Sequence, residues 1–457
     1  MAPFDNHSFS GPTGRGALRV AVVGGGISGL SAAWLLAQSH NVTLFEKADR
    51  PGGHSNTLLA PCPEGDIPVD TGFIVYNEAN YPNLTALFRH LGVATKPSNM
   101  SFSASLPEGA RGRFEYSGVG LGGLFGDRRN LVRPRMWRMI RDILRLYRGA
   151  PALMGEEGLE RKPLGDFLLE KGFSRALRDD HLLPMCAAIW SLPLERVEEF
   201  PALSFLRFFD NHGLMRLKDR PVWRTVDGGS REYVKALCAP LGDRVQTGRG
   251  IARVLRGEHG VDVTDMHGRT ERFDRVVIAS HSDEAMDMLG DAYEEERRLL
   301  GAIRYQKNVA WLHSDPAFMP REKRVWASWN YLGGGGNTPV CVTYWMNRLQ
   351  SLPTGRQLFV TLNPTRDPAP EHAVSRIEYD HPVFDTDAIA AQRALWALQG
   401  RRHTWFCGAY FGSGFHEDGL QAGLAVAEEL GGMSRPWQVD DDSSRIFRTR
   451  FPDEVAA

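Results

Sequence analysis

The chain has 457 residues, with 54 lysines and arginines against 55 aspartates and glutamates, which gives a net charge of −1. Hydrophobic residues make up 42% and charged residues 24%, which is ordinary globular usage and excludes a disordered chain. The balanced charge excludes a general nucleic-acid binder, and no apolar run approaches the roughly 18 residues of a membrane span.

The amino-terminal segment gives no sign of secretion, and the cysteine pattern suits a reducing compartment. Residues 1–17 are polar and rich in Gly, Ser and Pro, without the apolar core of a secretory signal, and are expected to form a disordered tail. The scattered cysteines form no C-x-x-C pair, which disfavours a disulfide scaffold or a zinc ribbon. No H-E-x-x-H motif occurs either. We therefore predict a cytoplasmic protein with no metal site.

The first ordered segment has the size of a βαβ unit. Residues 18–23 (LRVAVV) predict a buried parallel strand, because the apolar run is short and ends at glycines. Residues 29–39 predict a helix, and residues 41–46 (NVTLFE) predict a second strand that ends on an acid. The segment therefore predicts an α/β fold.

The turn between the first strand and the helix carries a G-x-G-x-x-G fingerprint. Gly24 permits the tight turn, Gly26 lets the backbone approach a pyrophosphate, and Gly29 lets the helix pack on the strand. Glu46 closes the next strand, where a carboxylate accepts the hydroxyls of a ribose. In this context the motif predicts a dinucleotide site.

The rest of the chain predicts further strands, a closing helix and a division into two domains. Residues 252–280 predict a β-meander closed by an apolar strand, and residues 404–407 a strand followed by a glycine-rich turn and a helix over 419–430. The predicted dinucleotide-binding domain comprises 18–95, 226–300 and 400–435; the predicted substrate-binding domain comprises 96–225 and 301–399; and residues 436–457 form a C-terminal tail.

Several motifs resemble those of one flavoprotein superfamily. Glu46 followed by R-x-G-G at 50–53 and D-x-G at 70–72 resembles the flavin-containing amine oxidases, protoporphyrinogen oxidases and phytoene desaturases. Three further matches follow in the same chain order, at 228–230, 244–279 and 406–423. The resemblance implies FAD as cofactor and a discontinuous Rossmann-type FAD-binding domain with an inserted α+β substrate domain.

The resemblance also assigns cofactor contacts. It places the fingerprint on the pyrophosphate, Glu46 on the adenosine ribose and Gly72 near the flavin ring. His54 stands where many relatives carry Arg, so a fixed charge becomes titratable. The residues implied to hold FAD are Gly24, Gly26, Ile27, Ser28, Gly29, Glu46, Lys47, Gly53, His54, Thr71, Gly72, Val245, Gly408, Phe415, His416 and Gly419.

A narrower resemblance concerns the substrate. The strings at 189–191, 211–214, 326–331, 344–347 and 414–419 resemble the bacterial FAD-dependent oxidoreductases associated with cyclopropane-fatty-acyl-phospholipid synthases. This implies a dehydrogenase or desaturase that takes a hydride from a methyl-branched or cyclopropane fatty acyl chain on a phospholipid to flavin N5. A lipid-modifying methyltransferase is then an expected partner, and a non-catalytic flavoprotein serving that partner is an alternative.

A second alternative is an amine oxidase. Such enzymes flank the flavin with two aromatic rings, usually tyrosines, whereas this chain offers Phe415, which has no hydroxyl. Lys307 stands where amine oxidases carry a lysine that binds a water near N5, but a solvated lysine fits the same position. His212 and His416 are candidate proton acceptors, although a structural role in a loop or a flavin contact is open for each.

Residues 133–148 (RPRMWRMIRDILRLYR) predict a basic amphipathic helix. One face carries methionine, isoleucine and leucine, and arginines follow at helical spacing on another. This pattern suits a peripheral contact with anionic lipid on the inner face of the membrane. A surface helix whose apolar face packs on the core remains the alternative.

Overall fold

The computed structural model describes residues 16–108, 112–190, 197–216, 220–333, 341–440 and 442–448. Residues 1–15 of the predicted disordered tail and residues 449–457 of the predicted C-terminal tail lie outside the described residues. Within the described ranges, no helix combines the length and the apolar composition that a bilayer crossing requires.

The strands of the described chain are β1 (Arg19–Val23), β2 (Asn41–Phe45), β3 (Thr57–Cys62), β4 (Gly65–Asp70), β5 (Tyr76–Asn77), β6 (Thr95–Pro97), β7 (Phe102–Pro107), β8 (Arg113–Ser117), β9 (Trp223–Val226), β10 (Val245–Gln246), β11 (Ile251–Gly257), β12 (Gly260–Asp265), β13 (Thr270–Phe273), β14 (Arg275–Ile278), β15 (Arg304–His313), β16 (Trp329–Leu332), β17 (Cys341–Trp345), β18 (Phe359–Leu362), β19 (Ala373–Val383) and β20 (Thr404–Phe406).

The α-helices are α1 (Ile27–Leu36), α2 (Pro82–His90), α3 (Gly120–Leu124), α4 (Pro134–Leu153), α5 (Leu164–Glu170), α6 (Arg175–Leu177), α7 (Leu183–Trp190), α8 (Ala202–Asn211), α9 (Arg231–Cys238), α10 (Ser282–Met288), α11 (Glu294–Leu300), α12 (Met346–Leu349), α13 (Thr386–Leu395) and α14 (His416–Gly431).

A parallel five-stranded sheet carries the fingerprint. Its order is β10-β2-β1-β14-β20, so its strands come from three well-separated stretches of the sequence. The central strand β1 is apolar, and residues 20–23 of it are buried, as expected for a strand covered on both faces. This sheet confirms the predicted α/β class and the discontinuous Rossmann-type arrangement.

Two glycines of the fingerprint are required by close packing. Gly24 has φ +106°, and a Cβ there would lie 2.8 Å from the carbonyl carbon of Ala279, just beyond β14. A Cβ on Gly29 would lie 1.9 Å from the Gly24 carbonyl oxygen. The turn therefore brings α1 and β14 together only because both positions lack a side chain.

A second, mixed sheet has the order β19-β15-β18-β17-β16-β7-β8. Its strands come from residues 102–117 and 304–383, within the two stretches predicted to form the substrate-binding domain, although the predicted domain boundaries themselves stay predictions. The antiparallel sheet β11-β12-β13 confirms the predicted meander.

The predicted amphipathic helix is present as α4, and its apolar stripe faces inward. Met136 and Met139 of this stripe are buried, and Ile140, Ile143 and Tyr147 are partly buried against the same core, which also contains residues of α5, α7 and α8. The helix therefore does not present this stripe to a lipid surface, because core packing already covers it.

Candidate functional site

The turn between β1 and α1 forms an open cradle at the carboxyl end of the parallel sheet. A Cβ on Gly26 would meet no other atom within 4 Å, so protein packing does not require glycine there. The helix α1 begins at Ile27 with no side-chain cap and no acid in its first turn, which leaves its N–H groups available to an anion. The residues present fit a dinucleotide pyrophosphate.

Glu46 lies directly after β2 and is held rigidly by the main chain. Its Oε2 accepts a hydrogen bond from the Gly25 N–H at 2.7 Å, and its Oε1 accepts one from the Ala48 N–H at 2.8 Å. Each carboxylate oxygen keeps a second lone pair. The carboxylate can therefore still accept the two hydroxyls of a ribose, as the sequence predicts.

Three more of the predicted cofactor residues surround this cradle. Val245 belongs to β10, which pairs with β2, and Lys47 forms an ion pair with Glu284 in α10. Gly53 has φ +55°, and a Cβ there would lie 3.2 Å from the Cα of Gly26. The second glycine turn therefore packs directly on the first.

Thr71 and Gly72 join the cradle to a cluster of aromatic rings. A Cβ on Gly72 would lie 2.2 Å from the His54 carbonyl oxygen, and the Thr71 hydroxyl is 2.9 Å from that of Tyr379. The His54 ring stacks on Tyr379 with centroids 4.7 Å apart and lies 5.3 Å from the His381 ring.

His54 is neutral, and one of its ring nitrogens lacks a hydrogen-bond partner among the described residues. Burial lowers its pKa well below the ordinary value for histidine, and nearby histidines lower it further. Its Nε2 is buried without a hydrogen-bond partner among the described residues. A buried polar atom of this kind fits a site in which a ligand supplies the partner, so the replacement of Arg by His54 is compatible with a bound cofactor.

The last helix, α14, crosses α1 at the fingerprint turn. A Cβ on Gly419 would lie 2.9 Å from Ser28 Oγ, and one on Gly423 would lie 2.2 Å from the Ser28 carbonyl oxygen. The amino-terminal turns of the two helices therefore meet, and Gly408 lies just after β20, before α14 begins. The structure gives Gly419 a packing role, and its contact with the cofactor stays a prediction.

The first turn of α14 carries two buried acids that the sequence reasoning did not weigh. Glu417 Oε1 accepts hydrogen bonds from the Asn83 main-chain N–H and side-chain amide, each at 3.0 Å. Asp418 forms an ion pair with Arg445 at 3.0 Å and also accepts main-chain N–H bonds. Burial raises the pKa of both carboxyls. Both carboxylates are therefore already bonded to groups of the protein itself.

His416 is fixed by stacking and by one hydrogen bond. Its ring lies 3.9 Å from the Phe73 ring at an interplanar angle of 11°, and its Nε2 is 2.7 Å from the Tyr233 hydroxyl. Tyr233 also hydrogen-bonds Ser55. Burial lowers the pKa of His416 to about 3, so the ring is neutral at physiological pH.

His212 follows α8 and meets the start of α14 through aromatic rings. It stacks on Phe208 with centroids 4.0 Å apart, and Phe415 lies 5.6 Å from Phe208 and 6.0 Å from His212. The structure therefore brings the predicted residues His212 and Phe415 together, while the side chain of His416 faces Phe73 instead.

One hydrogen bond of the His212 ring shows which of its nitrogens carries the proton. Its Nδ1 is 2.8 Å from the Phe208 carbonyl oxygen, which only accepts, so Nδ1 carries the proton. Its Nε2 then holds a lone pair, and this atom is buried without a partner among the described residues. Burial lowers the pKa of His212 to about 4, so this lone pair is available at neutral pH.

Lys307 lies apart from these histidines. It is exposed on β15 and stands opposite Asp380 of β19. Its neighbour Asn308 stands opposite Tyr379 and bonds His381 at 3.0 Å, and successive side chains of a strand point to opposite faces. Lys307 therefore points away from the face that carries the His54 cluster, and its catalytic role stays a prediction.

Sequence reasoning missed the side chains that hold these histidines. Phe208 lies four residues before His212, one helical turn away, so the helix spacing could have indicated the pair. Tyr379 and His381 alternate along one strand, a period-two pattern that could have indicated a common face. Tyr233 carried no signal, because its contact with His416 joins distant parts of the chain.

Comparison with known proteins identifies the family. A family model described as flavin containing amine oxidoreductase matches residues 27–371, more than half of the chain. The chain belongs to this family. The match confirms the superfamily that the motifs resemble and a flavin as the class of cofactor.

The curated relatives match this chain over only part of its length. AofH of Mycobacterium tuberculosis, which carries the name of a flavin-containing monoamine oxidase, is 28% identical over 262 residues. That match covers 55% of this chain and 54% of AofH, so the chain spans about half the length of the curated relatives it matches.

Two solved structures show the same fold. Putrescine oxidase bound to putrescine aligns with a TM-score of 0.63 and 15% identity, over 91% of this chain and 99% of that chain. A CLA-producing fatty acid isomerase from P. acnes aligns with a TM-score of 0.62 and 17% identity, over 90% of this chain and 98% of that chain.

Proposed function

We propose that this protein is an FAD-dependent oxidoreductase that dehydrogenates a fatty acyl chain. In this proposal the chain is methyl-branched or cyclopropane-bearing and carried on a phospholipid, with oxygen or a quinone as the final electron acceptor. One observation carries the proposal: the side chains around the start of α14 are aromatic rings and neutral imidazoles. They are Phe73, Phe208, His212, Phe415 and His416.

The nearby acids support an uncharged substrate. Glu417 and Asp418 already have partners within the protein, Asn83 and Arg445. Asp70 accepts hydrogen bonds from the Ser230 N–H and hydroxyl and from the Gln350 amide, and burial raises its pKa to about 6. These three carboxylates of the described chain are already engaged, so a cationic amine beside the rings would have to compete for them, whereas an acyl chain needs no carboxylate partner.

The side chains around the start of α14 would have separate roles in this reaction. A bound FAD would supply the hydride acceptor for this reaction. His212 Nε2 would accept the proton from the adjacent carbon, because its lone pair has no partner among the described residues and is unprotonated at neutral pH. Phe208 and Phe415 exclude water from the acyl chain, and Tyr233 keeps the His416 ring in one orientation.

The test is anaerobic reduction of the purified flavoprotein. Phospholipids with unsaturated, methylated and cyclopropane acyl chains are added in turn, and the visible absorbance of the flavin is followed. Bleaching by a lipid, with loss of two hydrogens from that acyl chain by mass spectrometry, supports the proposal. Absence of bleaching across the lipid panel overturns it.

An amine oxidase is the second candidate, favoured by the resemblance to AofH and putrescine oxidase. Under this alternative, polyamines or monoamines bleach the flavin and release peroxide in air, and Lys307→Met lowers that release. A third outcome, in which neither lipids nor amines reduce the flavin and the protein co-purifies with a lipid methyltransferase, would favour the non-catalytic partner.

A further inference from the structure

An exposed group of apolar side chains lies beside the amino terminus of α4. We call it the apolar tip, and it consists of Leu121, Leu131, Val132 and Trp137. Their exposed fractions are 74%, 52%, 82% and 51%, respectively. Single exposed apolar residues are ordinary on a protein surface, but a contiguous group of this kind indicates an interaction site.

Two hydrogen bonds and one ring contact link the segments that carry the tip. The Trp137 indole N–H donates to the Leu131 carbonyl at 2.9 Å, and Val132 follows in the chain. The Trp137 ring lies 5.5 Å from the Phe125 ring. The Phe125 N–H in turn donates to the Leu121 carbonyl at 3.1 Å. These links hold the four residues of the tip in one local framework.

Cationic side chains border the tip on two sides. Arg128 and Arg138 are exposed on either side of Leu131 and Val132 in the sequence. A second basic segment, residues 321–324 (REKR), is exposed and lies beside Gly126, the residue after Phe125, where a Cβ would lie 3.4 Å from the Cβ of Arg324. The surroundings of the tip are therefore predominantly positive.

We propose that the apolar tip docks this protein on the surface of an anionic phospholipid bilayer. Leu131, Val132 and Leu121 would enter the headgroup region, Trp137 would lie at its boundary, and the arginines would contact lipid phosphates. The charge around the tip selects this occupant, because anionic lipid complements it. The membrane contact thus uses the turn before α4 rather than the buried apolar stripe of that helix.

Sedimentation with sucrose-loaded vesicles tests this, with phosphatidylcholine vesicles compared with vesicles that also contain phosphatidylglycerol. The full chain is expected to bind the anionic vesicles and not the neutral ones. Arg128→Glu with Arg138→Glu is expected to weaken binding by about 30-fold or more, because two basic side chains lose their attraction to the surface. Leu131→Ser with Val132→Ser is expected to weaken it by more than about tenfold.

Matched controls separate the tip from general effects. Arg297→Glu with Arg298→Glu makes the same charge change at exposed positions of α11, and Leu169→Ser removes a side chain that is 77% exposed on α5. Both control variants are expected to bind like the unmodified chain, and circular dichroism checks that all variants fold. Binding involves no turnover, so this result is independent of the proposed function.

Three outcomes would overturn the proposal. One is that the unmodified chain binds neither kind of vesicle, and another is that the tip variants and controls bind equally well. The third is concentration-dependent self-association that Leu131→Ser with Val132→Ser abolishes while vesicles are not bound, which would make the tip a protein interface.

Discussion

One hydrogen bond fixes which nitrogen of His212 carries the proton. Because Nδ1 donates to the Phe208 carbonyl, Nε2 is the basic atom of the ring. His212→Asn keeps a donor near the position of Nδ1 and removes the base. We expect the rate of anaerobic flavin reduction by substrate to fall about 100-fold or more while the flavin content stays unchanged.

The pH dependence gives an independent check on the same residue. Burial places the pKa of His212 at about 4, so the reduction rate should be independent of pH above about 5 and fall as protonation removes the Nε2 lone pair. His259→Asn, at an exposed histidine, is the control and should leave the rate unchanged. Reduction of His212→Asn at the unmodified rate would contradict a role for His212 as base.

The fingerprint glycines should separate cofactor binding from folding. Gly26→Ala adds a Cβ that meets no protein atom, whereas Gly29→Ala adds one 1.9 Å from the Gly24 carbonyl oxygen. We expect Gly26→Ala to change the free energy of unfolding of the flavin-free protein by less than about 1 kcal/mol. It should nevertheless lose FAD, because the new methyl occupies the pyrophosphate cradle.

Gly29→Ala should instead lower the free energy of unfolding of the flavin-free protein by about 1–3 kcal/mol, since α1 must move away from the turn. Urea unfolding of the flavin-free proteins and FAD titration by fluorescence quenching measure the two effects. If Gly26→Ala bound FAD with unchanged affinity, the pyrophosphate would not lie on this turn.

At the scale of elements, the start of α14 depends on the C-terminal segment. Asp418 is buried in the first turn of the helix, and Arg445 supplies its cationic partner from residues 442–448. Arg445→Met leaves that carboxyl buried without its cation. We expect the free energy of unfolding to fall by about 3–5 kcal/mol.

A double-mutant cycle with Asp418→Asn distinguishes this pair from general loss of packing. The double variant should be less destabilised than the sum of the two single variants, because neither partner then leaves a buried charge. Urea denaturation of all four proteins measures the coupling. Additive changes would show that Arg445 stabilises the segment by packing alone.

How far the sequence predicted each element depends on the range of its contacts. The β1–α1–β2 unit was predictable because its glycines, strand and closing acid lie within about 30 residues. The strand register that turns Lys307 away from the His54 cluster was not, since it depends on the pairing of β15 with β19. The Asp418–Arg445 pair joins residues only 27 apart, but no motif marks the two positions, so the pair appears only when the segment after α14 folds back onto the start of that helix.

At the scale of the whole molecule, neutral histidines are buried at several points of the fold. His181, His212 and His313 are each no more than 7% exposed, and burial lowers the pKa of each to about 4. Unfolding returns them to an ordinary pKa of about 6.5. Between these values the unfolded chain binds more protons, so stability is present above about pH 6.5 and is lost as the pH falls towards 4.

We therefore expect the flavin-free protein to be acid-labile, with each of these histidines losing up to about 3 kcal/mol of stabilisation across that window. Thermal melting from neutral pH downwards measures the slope of stability against pH. His313→Gln, which can keep the bond that His313 Nε2 makes to Thr361 at 2.7 Å, should reduce the slope by about one proton. His259→Gln, at a side chain that is 81% exposed, should leave it unchanged. A melting temperature that stays constant as the pH falls from neutral towards 4 would mean that these rings are already accessible to protons in the folded protein.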